Sequence, residues 1–230
     1  MPDVVSKDPD RIREMFDNVA DRYDQLNRLL SLGLDRSWRD RMIRNVQGKS
    51  LLDVACGSGD VLQQAATNFS SIYGLDFSQR MLQHAQDKVS GDRALLCSGD
   101  ALDLPFKPST FDAVTCAFGV RNFADRQAAF REVNRVLTPN SNFVILEFFP
   151  PPDSLLTAPL RWYMGTVLPF LGKLISQSDD AYEYLNRSIK TFVDAQTLTE
   201  ELSSSGFKNC TVESVFLGLV KLIIARKGGH

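Results

Sequence analysis

Leu51-Leu52-Asp53-Val54-Ala55-Cys56-Gly57-Ser58-Gly59-Asp60 is a short apolar run that breaks into a glycine-rich turn. A nearly continuous apolar run of this length suits a strand buried on both faces, and glycines let the chain turn tightly and approach a ligand closely. Similar runs follow at 72–75, 94–97, 113–117 and 143–147, and amphipathic stretches at 60–68, 78–89 and 125–137 lie between them. Strand alternating with helix predicts an α/β domain with a parallel sheet covered on both faces. Towards the C-terminus a helix is expected over 195–205. Two strands follow, near 209–215 and 219–226, with Gly218 between them. As a hairpin they would add an antiparallel edge, for seven strands in all.

Upstream of the first strand, residues 8–46 read as helical. Asp8 is suited to cap a helix with Pro9 just inside it. Ile12, Met15, Phe16, Val19 and Tyr23 recur at helical spacing, and Leu26, Leu29 and Leu30 continue the stripe. Residues 150–178 break the rhythm with Pro150, Pro151, Pro152, Pro159 and Pro169 amid aliphatic and aromatic residues, and read as an insertion over the sheet edge. The 230 residues therefore divide as a single domain: a helical segment 1–48, a core 49–149, an insertion 150–192, and a terminal helix and hairpin 193–230.

Composition excludes several classes. Net charge is −2 with the signs interspersed, so nothing marks a nucleic-acid surface. Cys56, Cys97, Cys116 and Cys210 lie far apart without metal-ligand spacing, which points to a reducing compartment and no metal site. The N-terminus is polar rather than a secretory signal, and no run of about 18 apolar residues spans a membrane. A cytoplasmic protein is expected.

The turn after the first strand is the candidate ligand site, because open α/β sheets bind ligands at the carboxyl ends of their strands. In a dinucleotide fingerprint the third glycine would fall at Leu62, a bulky residue. A nucleoside-type ligand without a phosphate cradle fits better. Asp76 ends the second strand about 17 residues past Gly59, near the place of a ribose-binding carboxylate. Asp100 ends the third, where it would accept from an adenine amine, and Ala101 offers a backbone N–H to a ring nitrogen. Asp53, Gly57, Ser58, Gly59, Asp76, Asp100 and Ala101 form this candidate set. The alternative is that Asp76 and Asp100 are only helix caps or turn residues. Cys56 reads as packing.

The arrangement resembles the Rossmann-like fold of class I methyltransferases. Along nearly its whole length the chain is similar to the ubiquinone/menaquinone biosynthesis C-methyltransferase family. The matching segments are Phe16-Asp17-Asn18-Val19-Ala20-Asp21-Arg22-Tyr23-Asp24, Ser31-Leu32-Gly33-Leu34-Asp35-Arg36-Ser37-Trp38, Phe118-Gly119-Val120-Arg121-Asn122, Leu146-Glu147-Phe148 and Tyr182-Glu183-Tyr184-Leu185-Asn186-Arg187-Ser188. Asp35 stands where histidine is common, Asn140-Ser141 where Gly-Gly is usual, Val193 where proline often follows phenylalanine, and Ala117 where some relatives carry serine near the cofactor. Asn186 replaces a frequent proline or acid-flanked residue.

The resemblance implies that S-adenosyl-L-methionine donates a methyl group to a ring carbon of a polyprenylated quinol. That quinol would be demethylmenaquinol or demethylphylloquinol. The alternatives are 2-methoxy-6-polyprenyl-1,4-benzoquinol, a small soluble acceptor, or a cofactor-binding scaffold without activity. Arg121 would stabilise a phenolate or polarise a water, or else pair with a nearby acid. Asn122 would orient the hydroxyl. Tyr23 would close over the sulfonium, whose charge an aromatic face attracts, or pack in the core. Ala117 joins the cofactor set, while Tyr184 and Ser188 are further candidates near the acceptor. His84 reads as a surface residue. The apolar segment 155–171 would form a wall for the prenyl tail, with peripheral contact at a membrane, or simply cap the sheet edge.

Overall fold

The computed structural model describes residues 8–89, 94–152, 157, 158, 166 and 180–229. Three helices replace the one long helical stretch: α1 (Pro9–Val19), α2 (Tyr23–Leu30) and α3 (Asp35–Ile43), with a 3₁₀ turn Ala20–Arg22 between the first two. Asp8 caps α1 by accepting from the Asp10 N–H at 3.1 Å. The break after α2 follows from Gly33. Its φ of 77° allows a left-handed exit, and its N–H closes onto Arg28 O at 2.7 Å.

The alternating region forms β1 (Ser50–Val54), α4 (Asp60–Ala65), β2 (Ser71–Asp76), α5 (Gln79–Lys88), β3 (Ala94–Ser98), β4 (Phe111–Ala117), a 3₁₀ turn Val120–Asn122, α6 (Arg126–Val136) and β5 (Leu137–Phe148). The C-terminal part forms α7 (Asp180–Lys190), α8 (Ala195–Ser204), β6 (Phe207–Phe216) and β7 (Val220–Lys227). The seven strands lie in the order β3-β2-β1-β4-β5-β7-β6. The first five are parallel, and β7 pairs antiparallel with both β5 and β6. The strand order reverses between β1 and β4, and a crevice opens where their ends diverge.

Alternation along the strands supplies both faces of the core. Phe143 and Ile145 of β5 pack on one face with Phe130 and Leu198, whereas Val144 and Leu146 pack on the other with Met42 and Leu62. Two elements differ from expectation. β5 begins six residues early, because Phe111 pairs with Leu137 and Ala113 with Asn142, and Asn140 absorbs the irregularity at φ 64°. Helix α7 arises inside what reads as an insertion, and packs against α1 and the 3₁₀ turn Val120–Asn122. The apolar segment 155–171 lies outside the described residues apart from Thr157, Ala158 and Thr166.

Close packing beneath the crevice makes Gly119 obligatory. A Cβ there would stand 2.7 Å from the Ala55 Cβ and 2.8 Å from the Cys116 Sγ, and neither neighbour is a flexible side-chain end. Gly119→Ala is expected to destabilise the fold by about 1–3 kcal/mol, the usual range for overpacking. Urea unfolding followed by circular dichroism measures it.

Candidate functional site

The crevice holds a cavity of about 780 Å³, its open mouth included, at the carboxyl ends of β1, β2, β3 and β4. Gly57, Asp76, Asp100, Ala101 and Ala117 all stand on its wall. Two non-glycine residues at its base take left-handed backbone, Ala55 (φ 56°) after β1 and Phe118 (φ 61°) after β4. Such strain gathers at ligand sites. Gly57 is left-handed too, and a Cβ there would meet the Tyr23 ring at 3.7 Å.

Asp76 is buried at the end of β2. Its Oδ2 accepts the Gly57 N–H at 2.8 Å and its Oδ1 the Ser78 N–H at 2.9 Å. Burial pushes its pKa up to about 6, against the pull of those N–H groups. The carboxylate of Asp76 therefore holds the glycine turn, as the turn-residue reading has it, and also stands on the cavity wall. Asp100 is similar, for its Oδ1 accepts the Leu102 N–H at 3.0 Å while the residue stands on the wall.

Three residues of the candidate cofactor set are not on this wall. Asp53 points within the sheet, where it accepts from Thr115 Oγ1 at 2.7 Å and burial raises its pKa to about 7. Ser58 turns the other way, donating to Asp24 at 2.5 Å and accepting from Lys88 at 3.1 Å. Gly59 supplies the left-handed entry to α4, and a Cβ there would stand 3.0 Å from the Cβ of Ala85 on α5 and 3.4 Å from Val89 just past that helix. All three shape the turn from behind. Cys56 is buried, and burial raises its thiol well above the ordinary range, so it is inert packing.

A second cavity of about 760 Å³ adjoins the first. Phe16, Tyr23 and Phe118 line both. Its wall is largely apolar and aromatic, including Met15, Val19, Trp38, Phe148 and Leu185. Arg121 also stands on it, 7% exposed, with its Nη1 2.5 Å from Oε1 of the fully buried Glu147. The same nitrogen donates to Phe118 O at 2.8 Å, and Nε donates to Ser188 Oγ at 3.3 Å. The acid-pairing alternative for Arg121 is thus realised, with Glu147 as the acid. Among the described residues its Nη2 has no hydrogen-bond partner. Asn122 stands in the first cavity and accepts from the Tyr184 hydroxyl at 2.9 Å. Tyr23 lies between the cavities, and burial raises its hydroxyl pKa. His84, part-exposed on α5, meets Asp21 at 3.1 Å, away from both.

Glu147 carries no role in the sequence reading, although an acid within Phe-Val-Ile-Leu-Glu-Phe is a signal that a buried partner exists. Asn27, Ser31, Asp35 and Arg39 also line the second cavity and are absent from the candidate set.

The fold is similar to that of a solved structure from Thermotoga maritima described as a "SAM-dependent methyltransferase, possible histamine N-methyltransferase". It is 16% identical, with a TM-score of 0.69 over 93% of this chain and 98% of that one. Fold and cavity together define a Rossmann-like class I methyltransferase. A "Demethylmenaquinone methyltransferase" of Clavibacter sepedonicus is 39% identical over 222 residues, covering 95% of this chain and 91% of the relative. A "Ubiquinone/menaquinone biosynthesis C-methyltransferase UbiE" of Geotalea uraniireducens is 38% identical over 228 residues, covering 95% and 97%. Residues 4–227 match the model of the ubiE/COQ5 methyltransferase family, and the chain belongs to that family.

Two outcomes are expected from this geometry. Asp76→Ala should weaken S-adenosylmethionine binding by about 1.5–3 kcal/mol in calorimetry, as for hydrogen bonds to a charged group. A donor hydroxyl stabilises the ionised carboxylate, so affinity should be level above pH about 6 and fall below it, by up to about tenfold per unit. Asp76→Asn should remove that dependence. Glu147→Gln would leave the Arg121 charge buried without its counterion, and should cost about 3–5 kcal/mol in urea unfolding.

Proposed function

We propose that this chain methylates a ring carbon of demethylmenaquinol, with Gly57, Asp76, Asp100, Ala101 and Ala117 holding S-adenosylmethionine and the second cavity holding the quinol ring. The observation that carries this reading is the junction of the two cavities at Phe16, Tyr23 and Phe118. One cavity carries carboxylates suited to a ribose and an amine. The other is aromatic, as a fused ring requires. The first cavity fits the methyl donor: Gly57 leaves room for close approach, and Asp76 presents an acceptor there. The donor, when bound, supplies an electrophilic methyl group.

The chain's own residues do the rest. Tyr23 offers an aromatic face at the junction, where it attracts positive charge and excludes water. Arg121 Nη2 donates to an acceptor oxygen and stabilises phenolate character there. Asn122, held by the Tyr184 hydroxyl, lines the first cavity, where its amide would orient an acceptor hydroxyl that reaches the junction. Fixing the ring against the methyl group by such contacts is worth roughly 7–11 kcal/mol in well-oriented systems. The ring carbon would form a bond to the methyl group as the methyl–sulfur bond breaks, leaving S-adenosylhomocysteine, and its hydrogen would leave as a proton to water, which restores the aromatic ring. Only the reduced quinol is electron-rich enough for this attack.

A benzoquinol of the ubiquinone type is the second reading, favoured by the dual naming of the Geotalea relative. Demethylphylloquinol shares the naphthoquinol ring and falls within the first. The prenyl tail would run along segment 155–171, and contact with a membrane surface would be peripheral. No helix among the described residues is long and apolar enough to cross a membrane.

The test is a radiolabel assay of the purified protein against reduced demethylmenaquinone and reduced 2-methoxy-6-polyprenyl-1,4-benzoquinone. The naphthoquinol is expected to be methylated at a kcat/KM at least about tenfold above the benzoquinol's, with no product from the oxidised quinone under non-reducing conditions. Preference for the benzoquinol selects the second reading. Equal turnover of the oxidised quinone overturns both.

A further inference from the structure

Met15, Val19, Tyr23, Asn27, Ser31, Asp35 and Arg39 recur at every fourth residue and all line the second cavity. The stripe crosses three helices and one turn, and it changes character on the way. Its first members are apolar, its last four polar. The polar end makes its own side-chain contacts, none of them to Arg121 among the described residues, and its Ser31, Asp35 and Arg39 are buried. Asp35 is 5% exposed. Its Oδ1 accepts from Ser31 Oγ at 2.8 Å and its Oδ2 from Arg39 Nη1 at 2.5 Å.

This carboxylate is the inner end of a run of ion pairs. Arg39 Nη2 also meets Asp60 at 3.0 Å, Asp60 meets Lys88 at 2.6 Å, and Lys88 meets Asp24 at 2.6 Å. Three carboxylates share two cations, and the outer carboxylate, Asp24, is half exposed to water. Asp35 has no such access. Burial works against its charge, but hydrogen bonds from Arg39 and Ser31, with the charges of Arg39 and Arg28, outweigh it and hold the carboxyl below its ordinary range. An ionised carboxylate with spare lone pairs therefore stands on the cavity wall.

The stripe also carries an unmet donor. The Asn27 amide nitrogen is buried beside the Tyr23 hydroxyl, and among the described residues it has no partner of normal hydrogen-bond geometry. An acceptor seeking a donor and a donor seeking an acceptor, on one stripe, are complementary to a group that is both. A hydroxyl is such a group, and a ketone or ether is not.

We propose that Asn27 and Asp35 form a hydroxyl-binding pole of the acceptor cavity: Asp35 accepts from, and Asn27 donates to, the quinol hydroxyl remote from Arg121. This rests on the reading of the second cavity as the quinol site. A charged acceptor on that hydroxyl also pushes electron density into the ring. The pole would then select the reduced acceptor over the quinone, which has no hydrogen to donate and would face a carboxylate with its own oxygen.

The test measures binding rather than turnover. A 2-prenyl-1,4-naphthoquinol, kept reduced under anaerobic conditions, and its two mono-O-methyl ethers are titrated against the full chain with S-adenosylhomocysteine bound, following the fluorescence of its two tryptophans, of which Trp38 stands on the cavity wall. Asp35→Asn is expected to raise the Kd of the quinol about tenfold or more. It should also raise that of one ether, and leave unchanged that of the ether blocked at the pole, with S-adenosylhomocysteine affinity retained; Tm falls, since Arg39 keeps only Asp60 as counterion, but the variant stays folded at the assay temperature. An equal loss on all three ligands means that Asp35 acts only through packing, and overturns the pole. An unchanged quinol Kd overturns it too. Asn27→Ala, which leaves every ion pair in place, should raise the quinol Kd about threefold or more. No change there also overturns the pole. Failure of the unaltered protein to bind the quinol at all overturns the acceptor reading itself, and the pole with it.

Discussion

The pairing of Arg121 with Glu147 is the interaction on which the second cavity depends. Two full charges are removed from water here, which is tolerable only with good geometry and further hydrogen bonds. Glu147 accepts from the Arg121 guanidinium, the Arg121 backbone N–H and the Phe148 N–H. Arg121 reaches on to Phe118 O and Ser188 Oγ. One pair thereby ties the end of β5 to the turn after β4 and to α7. Phe118 is held in its left-handed conformation, and its ring stacks on Phe148 at 4.6 Å. An arginine lies against each ring of that stack, Arg39 over Phe118 and Arg121 over Phe148. The aromatic wall of the second cavity is assembled around buried charge.

The N-terminal helices are held over this wall by different means. Asp17 accepts from Ser78, Asp21 meets Arg80 and His84, and Asp24 meets Ser58 and Lys88. Side chains of this kind, many of them exposed, contribute little each. Their common effect is positional. They set α1 and α2 along α5, so that Phe16 and Tyr23 stand between the cavities. Phe16 meets Phe77 and Tyr23 edge-on at 6.3 and 6.1 Å, which continues the aromatic contact from the first cavity to the second.

The sheet was legible in the sequence for a simple reason. Parallel strands buried on both faces must be apolar throughout, and a site at their carboxyl ends must follow those runs directly. Asp76, Asp100 and Ala101 could be placed on that basis alone. Asp53, Ser58 and Gly59 could not be told from them, because sequence distance from the turn does not say which way a side chain leaves it. The second cavity was mostly hidden. Apolar periodicity identifies what a helix buries, and Asn27, Ser31, Asp35 and Arg39 read as a solvated face by that measure. Only the fold reveals that this face meets a cavity instead of water. Helix α7 was obscured by the proline-rich stretch before it, and with it the seat of Tyr184 and Ser188.

Asp76 and Arg121 each have a structural role in the fold and also stand on a cavity wall, so a structural reading does not compete with a functional one. Asp76 is fixed by two backbone N–H groups, and Arg121 by Glu147, Phe118 and Ser188, before any ligand arrives. A side chain free to bind would have to be oriented during binding, at a loss of rotamer entropy. One already bound to its own turn has lost that freedom in folding. Only its remaining lone pairs or N–H groups are left to meet a ligand, and they point where the fold has set them. Pre-organisation of this kind requires that the residues holding the site together also be the residues that line it. Ser58 and Asp53 stand behind the turn and serve it differently: Ser58 ties it to Asp24 of α2 and Lys88 of α5, and Asp53 ties β1 to Thr115 of β4.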